Sequence, residues 1–229
     1  MTLVRYELDD GIATVTMDDG KVNALSPAML AEVGRALDRA EEDRATAVVL
    51  AGRPGRFSAG FDLGVLRAGG PDALVMLRGG FELAERLLSS PVPVVAACTG
   101  HAVAMGAFLL CSTDVRVGAA GEFTLQANEV AIGLTVPHAA LAILRSKLAP
   151  SAFDRAVGLA ERSTPADAVE RGWLDVVVDP DEVLPTAQRI ASSFGGLDAA
   201  AHHSTKLRAR AELLAEVRRG IEAEYAIRS

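Results

Sequence analysis

From Leu87 to Thr113 the chain carries no Asp, Glu, Lys or Arg. An uncharged run of this length has to leave water, either into a protein core or into a bilayer. A spanning helix needs ~20 predominantly apolar residues in a row. Here Pro91, Pro93, Gly100 and His101 interrupt the run and much of it is alanine. It reads as a buried strand followed by a buried helix, and the protein as soluble. With 50% apolar and 23% charged residues, the 229-residue chain can fill a sizeable core. Its abundant small side chains point to dense α/β packing. A net charge of −7 excludes a nucleic-acid or anionic-membrane binder, which needs a basic face. The high apolar content excludes disorder. Cys98 and Cys111 match no C-x-x-C spacing and lie in apolar stretches. They read as buried thiols of a reducing cytosol. The start, MTLVRYELDDG, lacks the apolar segment and cleavage site of a signal peptide, so a cytoplasmic place is expected.

Residues 3–8 and 12–17 alternate around Asp9-Asp10-Gly11 and predict a hairpin. Ser26-Pro27 forms an N-cap and first-turn pair opening a helix with Leu30, Val33, Leu37 and Ala40 on one face. AVVLAG (47–52) and PVPVVAA (91–97) are buried strands, separated by a helix over about 72–88. A loop, TGHAVAMG, leads into a helix through Leu109, then a strand over 114–118. Residues 129–134 read as a loop, and Pro137 as the start of a helix to 148. Helices are expected near 151–160, 165–171, 181–194 and 198–227, with a strand over 173–178. The class is α/β. The order opens strand-strand-helix, which disfavours a plain Rossmann sheet. No linker divides the chain; 1–180 is taken as the core and 181–229 as a C-terminal helical region.

The standard chemical signatures fail. Neither G-x-G-x-x-G nor G-x-x-x-x-G-K-[ST] occurs. The four histidines (His101, His138, His202 and His203) have no ligand spacing, so no metal is expected. Ser58 sits one residue out of step with a nucleophile elbow. Two Gly-containing loops remain, each after a buried strand: RFSAGFDL (56–63) and TGHAVAMG (99–106). Such loops can expose backbone N–H groups that bind an anion or a developing oxyanion, or they can simply be tight turns.

DGKVNALS (19–26), RFSAGFDL, PVPVVAACTGHAVAMGAFLLCSTDVRV, FTLQANEVAIGLTVP (123–137) and ADAVERGWLDVVVDPDEV (166–183) occur in that order. Together they resemble the crotonase superfamily, the enoyl-CoA hydratase/isomerase family, over nearly the whole chain. The resemblance implies a crotonase-like (ClpP/crotonase) spiral of strand-strand-helix units, with C-terminal trimerisation helices and assembly as a homotrimer or dimer of trimers. It also implies an oxyanion hole of two backbone N–H groups, falling on Ala59 and Met105, where Met105 stands at a position usually glycine. Acyl-CoA is the implied substrate, with no separate cofactor. Gly60, Phe61, Asp62 and Leu63 would shape its channel, with contacts from Lys21 and Val22, and Phe108 beside the acyl group. Lys21, Arg53, Arg56 and Lys206 are candidates to meet the CoA phosphates. Glu122 and Asp114 read as structural, and His101 as a packed residue. The family pattern is expected to run on past IEAEYAIRS, and a shortened end to loosen the trimer or open the acyl pocket.

Hydratases of the family carry two glutamates. One aligns with Glu129; the other aligns with Phe108. Hydration needs a carboxylate to activate water and an acid to protonate carbon, whereas moving a double bond needs one base that takes and returns a proton. The resemblance with this departure points to enoyl-CoA isomerisation through a thioester enolate, with Glu129 as the base. Hydration in fatty-acid β-oxidation and a catalytically weak acyl-CoA-binding protein stay open beside it.

Overall fold

The computed structural model describes residues 2–226. β1 (Val4–Asp9) and β2 (Ile12–Met17) form the expected antiparallel hairpin, pairing Asp9 with Ile12. Its two turn residues, Asp10 and Gly11, both take positive φ (45° and 77°), the turn whose twist suits a two-residue hairpin. After the short β3 (Ala24–Leu25), the Ser26 hydroxyl accepts the Met29 N–H and starts α1 (Pro27–Glu42). Leu30, Val33, Leu37 and Ala40 face the core, as their spacing requires.

From there the chain repeats one unit. β4 (Ala47–Ala51) is followed by β5 (Gly55–Ser58), β6 (Gly60–Phe61), α2 (Leu63–Ala68) and α3 (Gly70–Ser89). β7 (Val94–Cys98) is followed by β8 (Gly100–Val103) and α4 (Met105–Cys111). β9 (Val115–Ala119) is followed by β10 (Leu125–Gln126), a 3₁₀ turn (Val130–Ile132) and α5 (His138–Arg145). In each turn of this spiral the first strand enters a large sheet ordered β1-β2-β4-β7-β9, with β11 (Val176–Val178) at its far edge. The second strand enters a separate parallel sheet ordered β10-β8-β5, and β3 pairs with β6.

β4 and β7 are buried along their whole length, because both faces of the large sheet are covered. Val48, Leu50, Val94 and Ala96 point into the main core with α1, α3 and α4. Val49, Ala51, Val95 and Ala97 point to the other face, where α8 (Val183–Ser192) presents Val183, Ala187 and Ala191. Small residues on both sides let α8 lie close to the sheet.

Elsewhere the boundaries move. The segments read as loops at 56–63 and 99–106 contain β5, β6 and β8. These strands are short and Gly-rich and have no alternation to betray them. α5 stops at Arg145, and α6 (Pro150–Gly158) and α7 (Pro165–Arg171) follow. β11 starts later than expected, after Asp175 has turned to bind the Arg116 guanidinium at 2.6 Å. The stretch expected as one helix to 227 is two: α9 (Ala199–Ala209) and α10 (Ala211–Tyr225). The break falls at Arg210, whose guanidinium leaves the helix surface for the Leu88 carbonyl and Asp114, 2.9 and 2.7 Å away. Residue 227 lies outside the described residues. Among those described, no helix is long and apolar enough to cross a membrane.

Candidate active site

The small parallel sheet gathers the chemistry. Its register sets Ser58 beside Ala102 and Val103 beside Gln126. The residues following each strand therefore leave at one edge: Gly60-Phe61, Ala104-Met105 and Asn128-Glu129. This is the carboxyl edge of parallel strands, where α/β sheets bind ligands. Gly60 takes φ +88°, and a Cβ there would lie 2.9 Å from the Ala104 Cβ and 3.3 Å from the Met105 nitrogen, so only glycine lets the strands approach. A Cβ on Gly106 would lie 2.4 Å from the Ser58 carbonyl oxygen, which seats the start of α4 on β5. Met105 and Gly106 are its first residues, and Ala104 before them supplies no side-chain cap. First-turn N–H groups have no acceptor within their own helix.

The Asn-Ala-Leu segment of the first motif holds this edge together. Asn23 is fully buried with φ 53°, and its amide donates to the carbonyls of Met17, Arg56 and Phe57. The Ser58 hydroxyl donates to the Asn23 carbonyl at 2.7 Å and accepts the Gly60 N–H at 3.1 Å. Ser58 is thus a fully buried structural hydroxyl.

Glu129 begins the 3₁₀ turn. Its carbonyl accepts the N–H groups of Ile132 and Leu134, and Gly133 closes the turn in the left-handed region. This fold-back leaves the side chain inward, 8% exposed, with Oε2 buried and without a hydrogen-bond partner. Burial pushes the carboxyl up from its ordinary 4.5 to about 7, only partly offset by a hydrogen bond from its own backbone. A buried acid that ionises near neutrality, with a free oxygen, can both take and give a proton.

The structure separates the residues expected at this site. Met105, Gly60, Phe61 and Phe108 come together around the small sheet and α4, and Glu129 follows β10 at the carboxyl edge of the same sheet. Met105 and Phe108 are fully buried and one helical turn apart. Ala59 does not join them. It is exposed, and its N–H already donates to the Val22 carbonyl at 3.0 Å, so this group is not free to receive an oxyanion. Sequence cannot show which of several consecutive N–H groups turns inward.

Lys206 is also displaced from its expected role. It is 6% exposed, with its ammonium 2.7 Å from Asp114 and 3.4 Å from the Val92 carbonyl, and so is spent inside the fold. Lys21, Arg53 and Arg56 do share the outer rim. Arg53 donates to the Lys21 carbonyl, pairs with Asp18 at 3.0 Å, and bridges to Arg56 through the backbone. Val22 and Leu63 are exposed at this side, and the Asp62 carboxylate caps α2 by accepting the Gly64 and Val65 N–H groups. His101 accepts the Thr124 N–H on Nδ1 and packs edge-on against Phe123. Burial and the nearby Arg56 push its pKa down, so it is a neutral packing residue.

Two aromatic residues that sequence reasoning missed complete the surroundings. Phe81 on α3 stacks on Phe108 with centroids 6.2 Å apart, and Tyr225 stacks on Phe81 at 5.5 Å. Aromatics are only 4% of the chain, and their scarcity was the available signal. A cavity of about 620 Å³ between Leu37, Leu87, Phe194 and His203 contains none of these groups.

A family model described as enoyl-CoA hydratase/isomerase matches residues 7–226. An enoyl-CoA hydratase from Mycobacterium marinum is 52% identical, covering 98% of this chain and all of its own, with a TM-score of 0.93. An enoyl-CoA isomerase from Mycobacterium tuberculosis is 49% identical over 98% of this chain and 99% of its own, with a TM-score of 0.94. A curated Rhodobacter capsulatus relative named "Probable enoyl-CoA hydratase" is 40% identical over 126 residues, 54% of this chain and 49% of that protein. The spiral is the crotonase fold, and its relatives carry the names of both reactions. The chain belongs to the enoyl-CoA hydratase/isomerase family.

Proposed function

We propose that the protein is an enoyl-CoA isomerase that moves a β,γ double bond to the α,β position. The observation carrying this reading is a buried carboxylate, Glu129, whose Oε2 has no hydrogen-bond partner, in a chain with phenylalanine at the second carboxylate position, Phe108. Glu129 as carboxylate removes a C2 proton from a 3-enoyl-CoA. The electron pair moves onto the thioester oxygen, giving a dienolate, and the Met105 N–H stabilises that oxyanion. Glu129 then returns the proton to C4, the double bond forms between C2 and C3, and the carboxylate is regenerated. Each preorganised donor is worth roughly 2.7–4 kcal/mol in such sites. The substrate supplies its own CoA, so no further cofactor enters. Lys21, Arg53 and Arg56 on the rim suit its phosphates.

Hydration is the second reading, favoured by the name of the M. marinum relative. It would need a group other than Phe108 to act with Glu129 on water. The discriminating experiment compares isomerisation of 3-hexenoyl-CoA with hydration of crotonyl-CoA. Hydration should be at least ~10²-fold slower, the low end of one acid–base contribution. Equal rates would overturn the assignment, and acyl-CoA binding without any turnover would make the chain a binding protein. We also assign a cytoplasmic trimer or dimer of trimers. Exposed Val130 and Leu134, which share a groove with Val157, supply apolar surface for assembly, and light scattering at a monomer mass would refute it.

A further inference from the structure

We propose that Gln126 is a positioning residue, holding the base Glu129 and the donor turn at Met105 in one fixed relation. This rests on the acyl-CoA reading above and assigns Gln126 no contact with the substrate.

Gln126 ends β10, the outer strand of the small sheet, where it pairs with Val103 of β8. Its carbonyl accepts the Ala104 N–H at 2.9 Å. Ala104 takes φ +51°, and Met105 follows it as the first residue of α4. A left-handed alanine costs free energy and persists where its surroundings enforce it. The Gln126 carbonyl is one of those surroundings. Three positions further on, the same stretch of chain delivers Glu129. Gln126 therefore joins the two halves of the reaction, the turn that receives negative charge and the acid that moves the proton.

A strand of two residues needs support on its other side, and the segment after α6 gives it. Leu125 and Ser163 exchange both backbone hydrogen bonds, at 2.9 and 3.0 Å. The Gln126 Nε2 donates to the Ala160 carbonyl at 2.7 Å. Gln126 is 8% exposed and Ala160 7%, so water does not compete for this bond, and its loss leaves a buried carbonyl unpaired. The supporting segment is itself anchored. The Glu161 carboxylate accepts from Arg155 of α6 at 2.7 Å and pairs with Arg171 of α7 at 2.9 Å. The Gln126 amide carries that anchorage across to β10. An apolar side chain of the same length keeps the volume and loses the tether, so β10 shifts, and the Ala104 turn and Glu129 shift with it. A misplacement of about 1 Å costs ~10²-fold in such sites.

The test compares wild type, Gln126→Met and Thr113→Val. Thr113 donates from a buried hydroxyl to the Leu110 carbonyl, just past the far end of α4, so its variant shows what losing a buried hydrogen bond does by itself. Three quantities are measured: kcat for 3-hexenoyl-CoA, Kd for hexanoyl-CoA, and the midpoint of the Glu129 carboxyl titration followed by carbon-13 NMR. Gln126→Met should lower kcat by ~10²-fold. Its Kd should stay nearly where it was, because transition-state geometry is lost while the CoA contacts remain. The Glu129 midpoint should fall from about 7 toward its ordinary value, because a carboxylate no longer held inside reaches water. Thr113→Val should lose stability and keep both kcat and midpoint. A wild-type midpoint in folded Gln126→Met overturns the proposal whatever the rate, and so does a midpoint that falls as far in Thr113→Val. If Gln126→Met does not fold, Gln126→Thr, which suits a strand and leaves room for water at the Ala160 carbonyl, is judged by the same midpoint. If wild type binds hexanoyl-CoA but turns nothing over, the isomerase reading falls; if it does not bind, the acyl-CoA reading falls. In either case the Glu129 midpoint still decides whether Gln126 holds the acid in place.

Discussion

Glu129 lets function be read from stability, because the price of burying it depends on pH. In the folded protein its carboxyl ionises near 7 rather than at the ordinary 4.5. Between those values the folded state holds a proton that the unfolded chain has released. The sign follows: the contribution to stability is present in full below about 4.5 and is lost as pH rises through about 7. At about 1.4 kcal/mol per pH unit, the displacement corresponds to about 3 kcal/mol of destabilisation at pH 8 and about 1 kcal/mol at pH 5. Glutamine has nearly the same shape and no proton to lose. Glu129→Gln should therefore gain on wild type by about 2 kcal/mol between pH 5 and pH 8, whatever fixed cost the amide carries at both. Urea unfolding of both proteins at the two pH values measures this, provided the slopes agree. A gap that does not change with pH would mean that Glu129 is solvated rather than buried, and the proton-shuttle argument would go with it. The same variant should keep acyl-CoA affinity and lose kcat by ~10²-fold or more. A protein made more stable and inactive by one change is the expected mark of a strained functional group.

Two further outcomes follow from the packing. Asp114→Ala should cost ~3–5 kcal/mol in denaturant unfolding, because Lys206 and Arg210 would lose the carboxylate they both contact at 2.7 Å; a loss under ~1 kcal/mol would show the cluster to be solvated. Gly80→Ala would place a Cβ 2.5 Å from the Phe61 ring and 3.5 Å from the Met105 side chain, so the ring must move; kcat/KM should fall by up to ~10²-fold with the fold intact, and an unchanged value would remove the Phe61 ring from the site.

The parts of this molecule legible in sequence are those with a period. The hairpin showed its alternation and its Asp-Gly turn, α1 showed Ser-Pro and a four-residue apolar stripe, and β4 and β7 showed uncharged runs. The small sheet showed nothing of the kind. β6 and β10 are two residues long, and their identity as strands exists only in their pairing. That is why the motifs could name Ala59 as a donor while the structure shows its N–H on the Val22 carbonyl. Which N–H faces inward depends on Asn23, Ser58 and Val22 acting together across the fold. Lys206 misled for a related reason. A lone helical lysine resembles a phosphate contact until Asp114, 92 residues earlier, is found beside it. The pairing of Lys206 with Arg210 one turn later, opposite a carboxylate at the end of the uncharged run, was the readable clue. Tyr225 was hidden by distance alone: one of two tyrosines in the chain, it reaches Phe81 from the opposite end of the sequence.

The same packing favours the reading in which Glu129 acts alone. A carboxylate in this apolar surrounding already costs about 3 kcal/mol when charged at pH 8. A second one at position 108 would lose the ring that stacks on Phe81 and would repel Glu129 in a medium that screens charge poorly. The two acids would then titrate as a coupled pair, one pushed below neutrality and the other well above it. Such a pair suits hydration, which uses one acid protonated and one ionised at the same moment. A single acid poised near 7 suits a reaction in which the proton that leaves the substrate is the one that returns. Phe108 stacks on Phe81, so a carboxylate at position 108 would replace part of an aromatic cluster that also holds Phe61 and Tyr225.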